Sequence, residues 1–301
     1  MKEFVAFVPD KTVDVVLDTD AFNEVDDQFA LSYLLLHPER ARVKALYAAP
    51  FSNQRAADPE TGMLKSHAEI RKLLGLLRRD DLLPFTFEGS RAYLPDEKTP
   101  VVSPAAKDLA KRAAGYSPED PLYVIAIGAI TNVASAFLTA PDVAKNTVVV
   151  WLGGHGYDFG HNREFNLRQD IAAARVVMQS ECAFVQLPCH GVVSEFLVSK
   201  ADLSTWLLGK NALCDYLAGF TIEELDKLKG NIPWTKPLWD VTAVGWLLND
   251  EDRFMDSRVI PARLPSYDGG YEAPGGKAIR YVYKIKRDAL MTDLFEKLTS
   301  F

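Results

Sequence analysis

Short apolar runs alternate with helical periodicities through most of the 301-residue chain, and this alternation constrains the fold more than any other feature. Runs rich in β-branched residues predict buried strands, and the segments between them carry apolar residues at three- and four-residue intervals, as amphipathic helices do. Strands that alternate with helices form a largely parallel sheet covered by helices. We therefore predict an α/β fold with an open, mostly parallel sheet flanked by helices.

The predicted elements cover both halves of the chain, although the pattern is less regular after Cys189. We find no internal repeat and no low-complexity linker, so residues 1–301 are predicted to form a single domain. The predicted strands are 13–17, 43–49, 84–88, 122–127, 147–152, 184–187 and 277–286. The predicted helices are 26–36, 64–77, 104–114, 132–139, 171–179, 201–208, 211–220, 238–248 and 288–298.

Charge and cysteine content exclude several classes of protein. The chain has 34 basic and 41 acidic side chains, a net charge of −7, and no Lys/Arg run longer than a pair, so nucleic-acid polymers and anionic membranes are not expected as partners. Its three cysteines, Cys182, Cys189 and Cys214, predict neither a disulfide framework nor a structural zinc site. The N-terminus lacks the unbroken apolar stretch of a secretory signal, and no apolar run approaches the ~20 residues that span a bilayer. We expect a cytoplasmic protein.

An acidic segment follows the first predicted strand. Five carboxylates, Asp18, Asp20, Glu24, Asp26 and Asp27, fall within ten residues at the carboxyl end of a hydrophobic run, where open α/β sheets bind their ligands. Such a cluster repels itself unless a cation neutralises it, and an all-oxygen donor set favours calcium or magnesium. The alternative is a solvated acidic loop before a capped helix, but the buried strand that leads into the segment argues against it.

Two further polar side chains follow predicted strands. Asn53 comes after the second strand, and Thr131 comes after a central one, three residues beyond Gly128. Each has a simple alternative, because asparagine is a common turn residue and threonine a common N-cap, here for a helix that begins at Asn132. Their shared position at strand ends favours a site.

Two later segments add candidate ligand contacts. The loop that follows Gly154 is rich in hydrogen-bonding side chains and leads to Glu164 and Asn166, which suits a polyhydroxylated ligand such as a sugar; the alternative is a long surface loop. Asp240 lies in an apolar helical stretch, where an unpaired charge is costly, so it requires a cation or a donor. Trp239 either packs in the core or offers its ring to an aromatic ligand.

Four motifs together resemble one family: DTD…DDQFAL, IAIGAITNVASAF, WLGG…EFNLRQDIAAA and PLWDVTAV. Their order and spacing, over residues 13–248, are similar to the calcium-dependent nucleoside hydrolases of the inosine-uridine-preferring superfamily. The resemblance implies a Rossmann-like three-layer core, calcium as cofactor, a homodimer or homotetramer, and hydrolysis of the N-glycosidic bond of ribonucleosides to free base and ribose.

The resemblance also implies roles for the acidic residues. Asp20 matches a calcium ligand that also serves as the base for the attacking water, Asp27 a bidentate ligand, and Asp240 the last carboxylate ligand. Thr131 matches a residue that binds calcium through its backbone carbonyl, and Asp18 an acid beside the metal site.

The resemblance places the sugar at another set of residues. Asp26, Asn53, Glu164 and Asn166 match positions that hold the ribose hydroxyls or orient the groups around them. Asp240 is counted among the substrate contacts as well.

Three departures from the family pattern bear on function. Asp20 and Asp26 are separated by an altered loop, residues 22–25. The loop between Gly154 and Glu164 is shorter than usual, which leaves Asp158 or Asn162 to replace a missing ribose contact. Trp239 stands where the inosine-uridine-preferring branch has a histidine that protonates the leaving base, whereas the purine-specific branch has a tryptophan that stacks on the base.

These features predict a purine-preferring hydrolase in which Trp239 contacts the base. Two other functions are considered. A nucleoside- or ribose-binding protein on the same fold would keep the sugar contacts and lack efficient leaving-group chemistry. An aspartate-nucleophile phosphatase also begins with a strand followed by Asp-x-Asp, but Asp26 and Asp27 come too early to be its late acidic pair.

Overall fold

The structure is a computed structural model, which describes residues 5–230 and 232–301. Residues 1–4, which begin the N-terminal segment considered above as a signal, and residue 231 lie outside the described part. The strands β1 to β10 are Val13–Thr19, Ala41–Ala48, Thr86–Phe87, Leu122–Ala126, Thr147–Leu152, Ala183–Leu187, Leu197–Ser199, Thr235–Pro237, Met255–Pro261 and Ala278–Ile285. The helices α1 to α10 are Asp26–Leu35, Pro59–Leu76, Pro104–Ala113, Thr131–Thr139, Phe165–Gln169, Ile171–Gln179, Lys200–Trp206, Ala212–Lys229, Val241–Leu247 and Arg287–Thr299. Short 3-10 helices cover Asp80–Phe85, Pro141–Asn146, Val193–Glu195 and Asp250–Asp252.

An eight-stranded sheet forms the centre of the fold, in the order β3-β2-β1-β4-β5-β6-β10-β9. Its strands pair in parallel except for β9, which runs antiparallel to β10 at one edge. The strands β7 and β8 form a separate antiparallel pair. The predicted α/β class and mostly parallel sheet are confirmed.

Two hydrophobic cores lie on opposite faces of the sheet, because successive strand side chains point to opposite faces. Val15 and Leu17 of β1 join a core with residues of α1 and α9, while Val16 joins a second core with residues of α3, α4 and α6. All three are fully buried. Burying such a side chain on either face contributes about 1.5–3 kcal/mol, so a strand in this position is apolar along its whole length.

Several predicted boundaries are wrong. The predicted strand 84–88 is reduced to two residues, because Pro84 lies in a 3-10 helix. The helix predicted at 211–220 continues to Lys229 as α8, and the one predicted at 238–248 begins only at Val241. The edge strand β9 was not predicted, since only Met255 of its seven residues is buried and the strand shows no apolar alternation.

The order of the strands determines where a ligand can bind. The chain passes from β1 outward through β2 to β3, and then returns to add β4 on the other side of β1. A crevice therefore opens between β1 and β4 at their carboxyl ends, which is where open α/β sheets bind ligands. Asp18, Thr19 and Asp20 lie at the end of β1, and Gly128 follows β4.

Candidate active site

Asp18 is buried at the carboxyl end of β1 and is held by an asparagine from the neighbouring strand connection. Asn132 Nδ2 donates to Asp18 Oδ1 at 2.7 Å and to the carbonyl of Ala48 at 3.2 Å, which ties the ends of β1 and β2 together. Burial raises the pKa of Asp18 to about 7, against the opposing effect of the Asn132 hydrogen bond. Asp18 thus supports the end of the strand beside the other carboxylates.

Three buried carboxylates converge next to this strand end. Asp26 and Asp27 occupy the first turn of α1, Asp240 precedes α9, and one oxygen from each lies within 4.8 Å of the others. The hydroxyl of Thr19 donates to Asp27 Oδ1 at 2.5 Å, and the backbone N–H of Asp240 donates to Asp26 Oδ2 at 3.4 Å. Asp20 lines the same cavity, so these four carboxylates form one acidic cluster.

The carboxylates of the acidic cluster repel one another when no cation is bound. Burial and the neighbouring carboxylates raise the pKa of Asp20 and of Asp240 well above the usual value, and they raise the pKa of Asp27 to about 7. Within the described residues, the salt bridge to this cluster comes from Lys236, whose Nζ lies 3.5 Å from Asp26 and also pairs with Glu24. The single positive charge of Lys236 is not enough to neutralise four carboxylates.

The donor set of the cluster fits a hard divalent cation. Asp20 Oδ2 is buried and has no hydrogen-bond partner among the described residues, so it is an available ligand atom. All the side-chain donors are carboxylate oxygens, which calcium and magnesium prefer. A Cβ atom at Gly128 would lie 3.1 Å from the carboxyl group of Asp20, so glycine allows the chain after β4 to pass close to that carboxylate.

Thr131 and Asn53 are not among the residues that line the cavity. Thr131 is the first residue of α4, not its N-cap, and its hydroxyl donates to Asp170 Oδ2 at 2.7 Å. Asn53 donates from Nδ2 to Asn23 Oδ1 at 2.7 Å, and Asn23 does line the cavity. Their assigned roles stay predictions.

Glu164 and Asn166 also line the cavity, at the start of α5. Glu164 caps this short helix and accepts hydrogen bonds from the backbone N–H groups of Asn166 at 2.9 Å, Leu167 at 2.8 Å and Gly154 at 3.0 Å. Gly154 adopts a φ of +76°, which glycine tolerates best. Asn166 Nδ2 donates to the carbonyls of Ile127 and Leu152, each at 3.1 Å. These contacts fix both side chains before any ligand binds.

The two residues considered as substitute ribose contacts do not line the cavity. Asp158 is exposed, and Asn162 is buried with its Oδ1 accepting from the backbone N–H of His155 at 2.8 Å. Asn162 therefore anchors the loop that follows β5.

The cavity measures about 380 Å³ and brings the acidic and sugar-binding candidates together. Asp20, Asp26, Asp27, Asp240, Glu164, Asn166 and Trp239 all line it. This volume is within the range of small-molecule sites, roughly 300–1,000 Å³.

Of the aromatic residues that line this cavity, only Trp239 was predicted to contact a ligand. His155, Phe159, His161, His190 and Trp239 pack ring against ring, and we call these five residues the aromatic collar. The centroid of the His190 ring lies 4.8 Å from His155, 5.4 Å from Phe159 and 5.2 Å from Trp239. The first three residues were noted only as part of a polar loop, and His190 follows a strand with no motif to mark it.

His155 differs from the other two histidines of the collar because it is buried. Its Nδ1 accepts a hydrogen bond from the backbone N–H of His190 at 3.3 Å, and its carbonyl accepts from the Tyr271 hydroxyl at 2.9 Å. Burial, together with the positive charges of protonated His190 and His161, lowers the pKa of His155 to about 4. His155 is therefore neutral at pH 7.

The fold and the site agree with the family suggested by the motifs. The chain combines an α/β sheet with an acidic cluster between the ends of β1 and β4. This is the architecture of nucleoside hydrolases, which are enzymes that hydrolyse ribonucleosides. The family model described as inosine-uridine preferring nucleoside hydrolase matches residues 15–269, so the chain belongs to that family. The predicted family and enzyme class are confirmed, and the phosphatase alternative is set aside.

Solved structures share the fold over nearly the whole chain. A plant nucleoside hydrolase is 20% identical with a TM-score of 0.74, covering 97% of this chain and 100% of its own. A purine-preferring ribonucleoside hydrolase from Gardnerella vaginalis is 18% identical with a TM-score of 0.70, covering 95% and 98%. An inosine-guanosine nucleoside hydrolase is 17% identical with a TM-score of 0.73, also covering 95% and 98%. No curated protein sequence shows significant similarity to the chain.

The helices of the described residues give no sign of membrane insertion. None of them combines the length and the apolar composition needed to cross a bilayer.

Proposed function

We propose that this enzyme hydrolyses the N-glycosidic bond of ribonucleosides in a calcium-dependent reaction, prefers purine nucleosides, and releases free base and ribose. The observation that carries the proposal is that an acidic cluster, two fixed polar side chains and a partly exposed indole ring line the same cavity. These three parts correspond to the three needs of the reaction: activating water, holding the sugar and receiving the base.

The acidic cluster is the proposed cation site. Asp20, Asp27 and Asp240, with the backbone carbonyl of Thr131 that the family resemblance implies, would hold calcium. The buried oxygen of Asp20 that lacks a partner among the described residues supports this assignment. Bound there, calcium would polarise a water molecule and the ribose hydroxyls.

Asp20 is the proposed base that removes a proton from the attacking water. It lies at the end of the rigid strand β1, where Ala49 N–H donates to the Thr19 carbonyl at 2.8 Å and Ile127 N–H donates to the Asp18 carbonyl at 2.8 Å. A base held by the central sheet keeps its position during the reaction, and positioning contributes strongly to rate.

Glu164, Asn166 and Asp26 are the proposed contacts for the sugar. Glu164 and Asn166 are fixed by backbone hydrogen bonds from the strand ends and α5, and Asp26 is fixed by Lys236 and by the backbone N–H of Asp240. Asn53 would act through Asn23, with which it forms a hydrogen bond. A preorganised set of this kind recognises one arrangement of hydroxyl groups.

Trp239 is the proposed contact for the base, which accounts for a purine preference. The indole is partly exposed at the cavity wall, and a bicyclic purine covers more of such a ring than a pyrimidine does. The purine-preferring and inosine-guanosine relatives of similar fold are consistent with this preference, although their names describe those proteins only.

A nucleoside panel tests the proposal. Inosine, guanosine, adenosine, uridine and cytidine are each incubated with the enzyme, and free ribose is measured. We expect ribose from the purine nucleosides, less from the pyrimidines, and none from any substrate with Asp20→Asn. Equal or better turnover of uridine than inosine would remove the purine preference. Tight nucleoside binding without base release would instead identify a binding protein.

The assembly and location that sequence analysis predicts are part of the same proposal. A homodimer or homotetramer is expected, and light scattering on the purified chain measures its mass against the 33.5 kDa of one chain. The cytoplasmic location and the single domain stay predictions.

A further inference from the structure

The reaction proposed above leaves one requirement without a residue. When the bond between C1′ and the purine nitrogen breaks, its electron pair moves onto the base, and the base departs most easily if a ring nitrogen gains a proton. Trp239 precedes Asp240, at the position where the family resemblance implies a histidine donor in other members, and an indole N–H is far too weak an acid for this step. A donor must come from elsewhere in the cavity.

The aromatic collar contains three histidines, and His190 is the one in contact with Trp239. Its ring lies edge-on to the indole, with an interplanar angle of 85°, and stacks on Phe159 with an angle of 17°. Its third ring contact is His155, with ring centroids 4.8 Å apart. His190 lines the cavity and is exposed to solvent, so it can exchange protons with water between turnovers.

His155 is a poor candidate for the proton donor. Its Nδ1 already accepts the backbone N–H of His190, so protonating the ring fully would break that hydrogen bond. Its low pKa agrees with a permanently neutral ring. The hydrogen bond instead makes His155 a support for the segment that carries His190.

His161 is also less suitable. Its Nδ1 accepts the backbone N–H of Arg163 at 3.2 Å, so the ring helps to hold its own loop. It packs against His155 and Phe159, and among the described residues it has no ring contact with Trp239. A base stacked on the indole would meet His190 first.

We propose that His190 protonates the departing purine, and so supplies from the loop after β6 the acid that position 239 lacks. This inference rests on the proposed function. In the step, the C1′–N bond breaks and its electron pair goes to the base, while the imidazolium of His190 transfers a proton to a purine ring nitrogen. The oxygen of water bonds to C1′ and one of its protons goes to Asp20; after product release Asp20 gives this proton to solvent, and solvent returns a proton to His190.

The test compares two substrates that share the ribose but carry different leaving groups, of which only one needs a proton to depart. Inosine requires protonation of its base, whereas p-nitrophenyl β-D-riboside releases a stable nitrophenolate without it. For His190→Ala and His190→Gln we expect kcat on inosine to fall by about 100-fold or more, the usual contribution of a general acid. We expect kcat on the nitrophenyl riboside to change by less than about threefold, because the water and sugar contacts are untouched.

His161→Ala is the matched control, since it removes a neighbouring exposed ring of the same collar. It should reduce kcat on inosine by less than about tenfold, because a lost ring contact contributes only about 0.5–1.5 kcal/mol. Using both His190 variants guards against a folding defect in one of them, and circular dichroism verifies the fold.

Three results would overturn the proposal. Equal losses on both substrates would show that His190 only supports the cavity, unchanged inosine turnover would show that it is dispensable, and a larger loss for His161→Ala would place the acid there. Failure of the proposed function looks different: the unsubstituted enzyme would then release ribose from neither substrate. Asp20→Asn should abolish turnover of both substrates.

Discussion

The two walls of the cavity are built in opposite ways. The acidic cluster lies at the end of β1, at the start of α1 and before α9, and its four carboxylates are buried. The aromatic collar lies mainly on loops after β5 and β6, and three of its members, Phe159, His161 and His190, are exposed. The buried acidic cluster suits the sugar and the water, which are common to all nucleoside substrates. The more exposed aromatic collar suits the base, which varies among nucleosides.

This difference predicts that substitutions in the two walls have different consequences. A change in the acidic cluster should affect every substrate equally, because all nucleosides share the ribose. A change in the aromatic collar should affect substrates according to their base. The following experiments test this division, beginning with the largest expected effect.

Removing one carboxylate of the acidic cluster should abolish activity while stabilising the cation-free protein. For Asp240→Asn we expect kcat/KM to fall on the order of 10³-fold for all nucleosides, because an essential ligand is lost. In a chelator, the same variant should have a higher Tm than the unsubstituted protein, because one buried, repelling charge is gone. Ribose release and thermal unfolding measure the two effects.

The control for this variant is Asp142→Asn, whose carboxylate is 99% exposed. It should change neither measurement. A lower Tm for Asp240→Asn in chelator would contradict the repulsion that we infer within the acidic cluster.

A substitution that crowds the side chain of Asp20 should reduce activity less than the loss of Asp240 does. In Gly128→Ala the new methyl group would lie 3.1 Å from the carboxyl group of Asp20 and 3.0 Å from Cβ of Ala49, so the proposed base must shift by a few tenths of an ångström. We expect kcat to fall by about tenfold for purine and pyrimidine nucleosides alike, since small misplacements of a reacting group reduce rate. A loss of activity with only purine or only pyrimidine nucleosides would contradict the assignment of the sugar to the acidic cluster and of the base to the aromatic collar.

Shortening Trp239 should alter selectivity more than rate. For Trp239→Ala we expect the ratio of kcat/KM between inosine and uridine to fall by roughly 2- to 13-fold, the equivalent of about 0.5–1.5 kcal/mol of stacking. Steady-state kinetics on both nucleosides measures the ratio. An unchanged ratio would mean that the base lies elsewhere in the cavity.

The smallest expected effects concern the pH dependence of stability, which should have opposite signs in the two walls. Burial raises the pKa of Asp18, next to the acidic cluster, and of Asp27, within it, from the ordinary value of 3.8 to about 7, so both favour unfolding increasingly as pH rises from about 4 to 7. His155 has its pKa lowered from 6.5 to about 4, so it favours folding increasingly as pH rises through that window.

Asp18→Asn and His155→Gln separate these contributions. In chelator, Asp18→Asn should weaken the decline of Tm with rising pH, and His155→Gln should weaken the opposing rise between pH 4 and 6.5. In a chain of this size about 1 kcal/mol corresponds to roughly 2 °C, so shifts of a few degrees are expected. Changes of the same sign for both variants would contradict the assignment.

The residues of the acidic cluster could be predicted from the sequence because the signals that mark them are local. The boundaries of β5 and α6 are as predicted, and those of β1 and α1 differ by at most two residues, since continuous apolar runs and clear helix ends mark them. Asp20, Asp26 and Asp27 follow directly from a strand end. Asp240 was found through the cost of a charge in an apolar stretch, which is also a local signal.

The aromatic collar could not be predicted in the same way. His155 and His190 belong to different loops, 35 residues apart, and only the parallel pairing of β5 with β6 brings those loops together. Neither residue has a periodic pattern or a spacing that marks it. The helix α5 was missed for a related reason: five residues are too few to show a helical period, although Glu164 caps it.

The dependence of ribose release on calcium tests the central claim most directly. The enzyme is stripped with a chelator, calcium is restored in steps, and ribose release from inosine is measured beside calorimetric binding of calcium to the same protein. We predict no activity in the stripped enzyme and full recovery at one calcium ion per chain. Full activity in the stripped enzyme, with no calcium bound, would contradict the account.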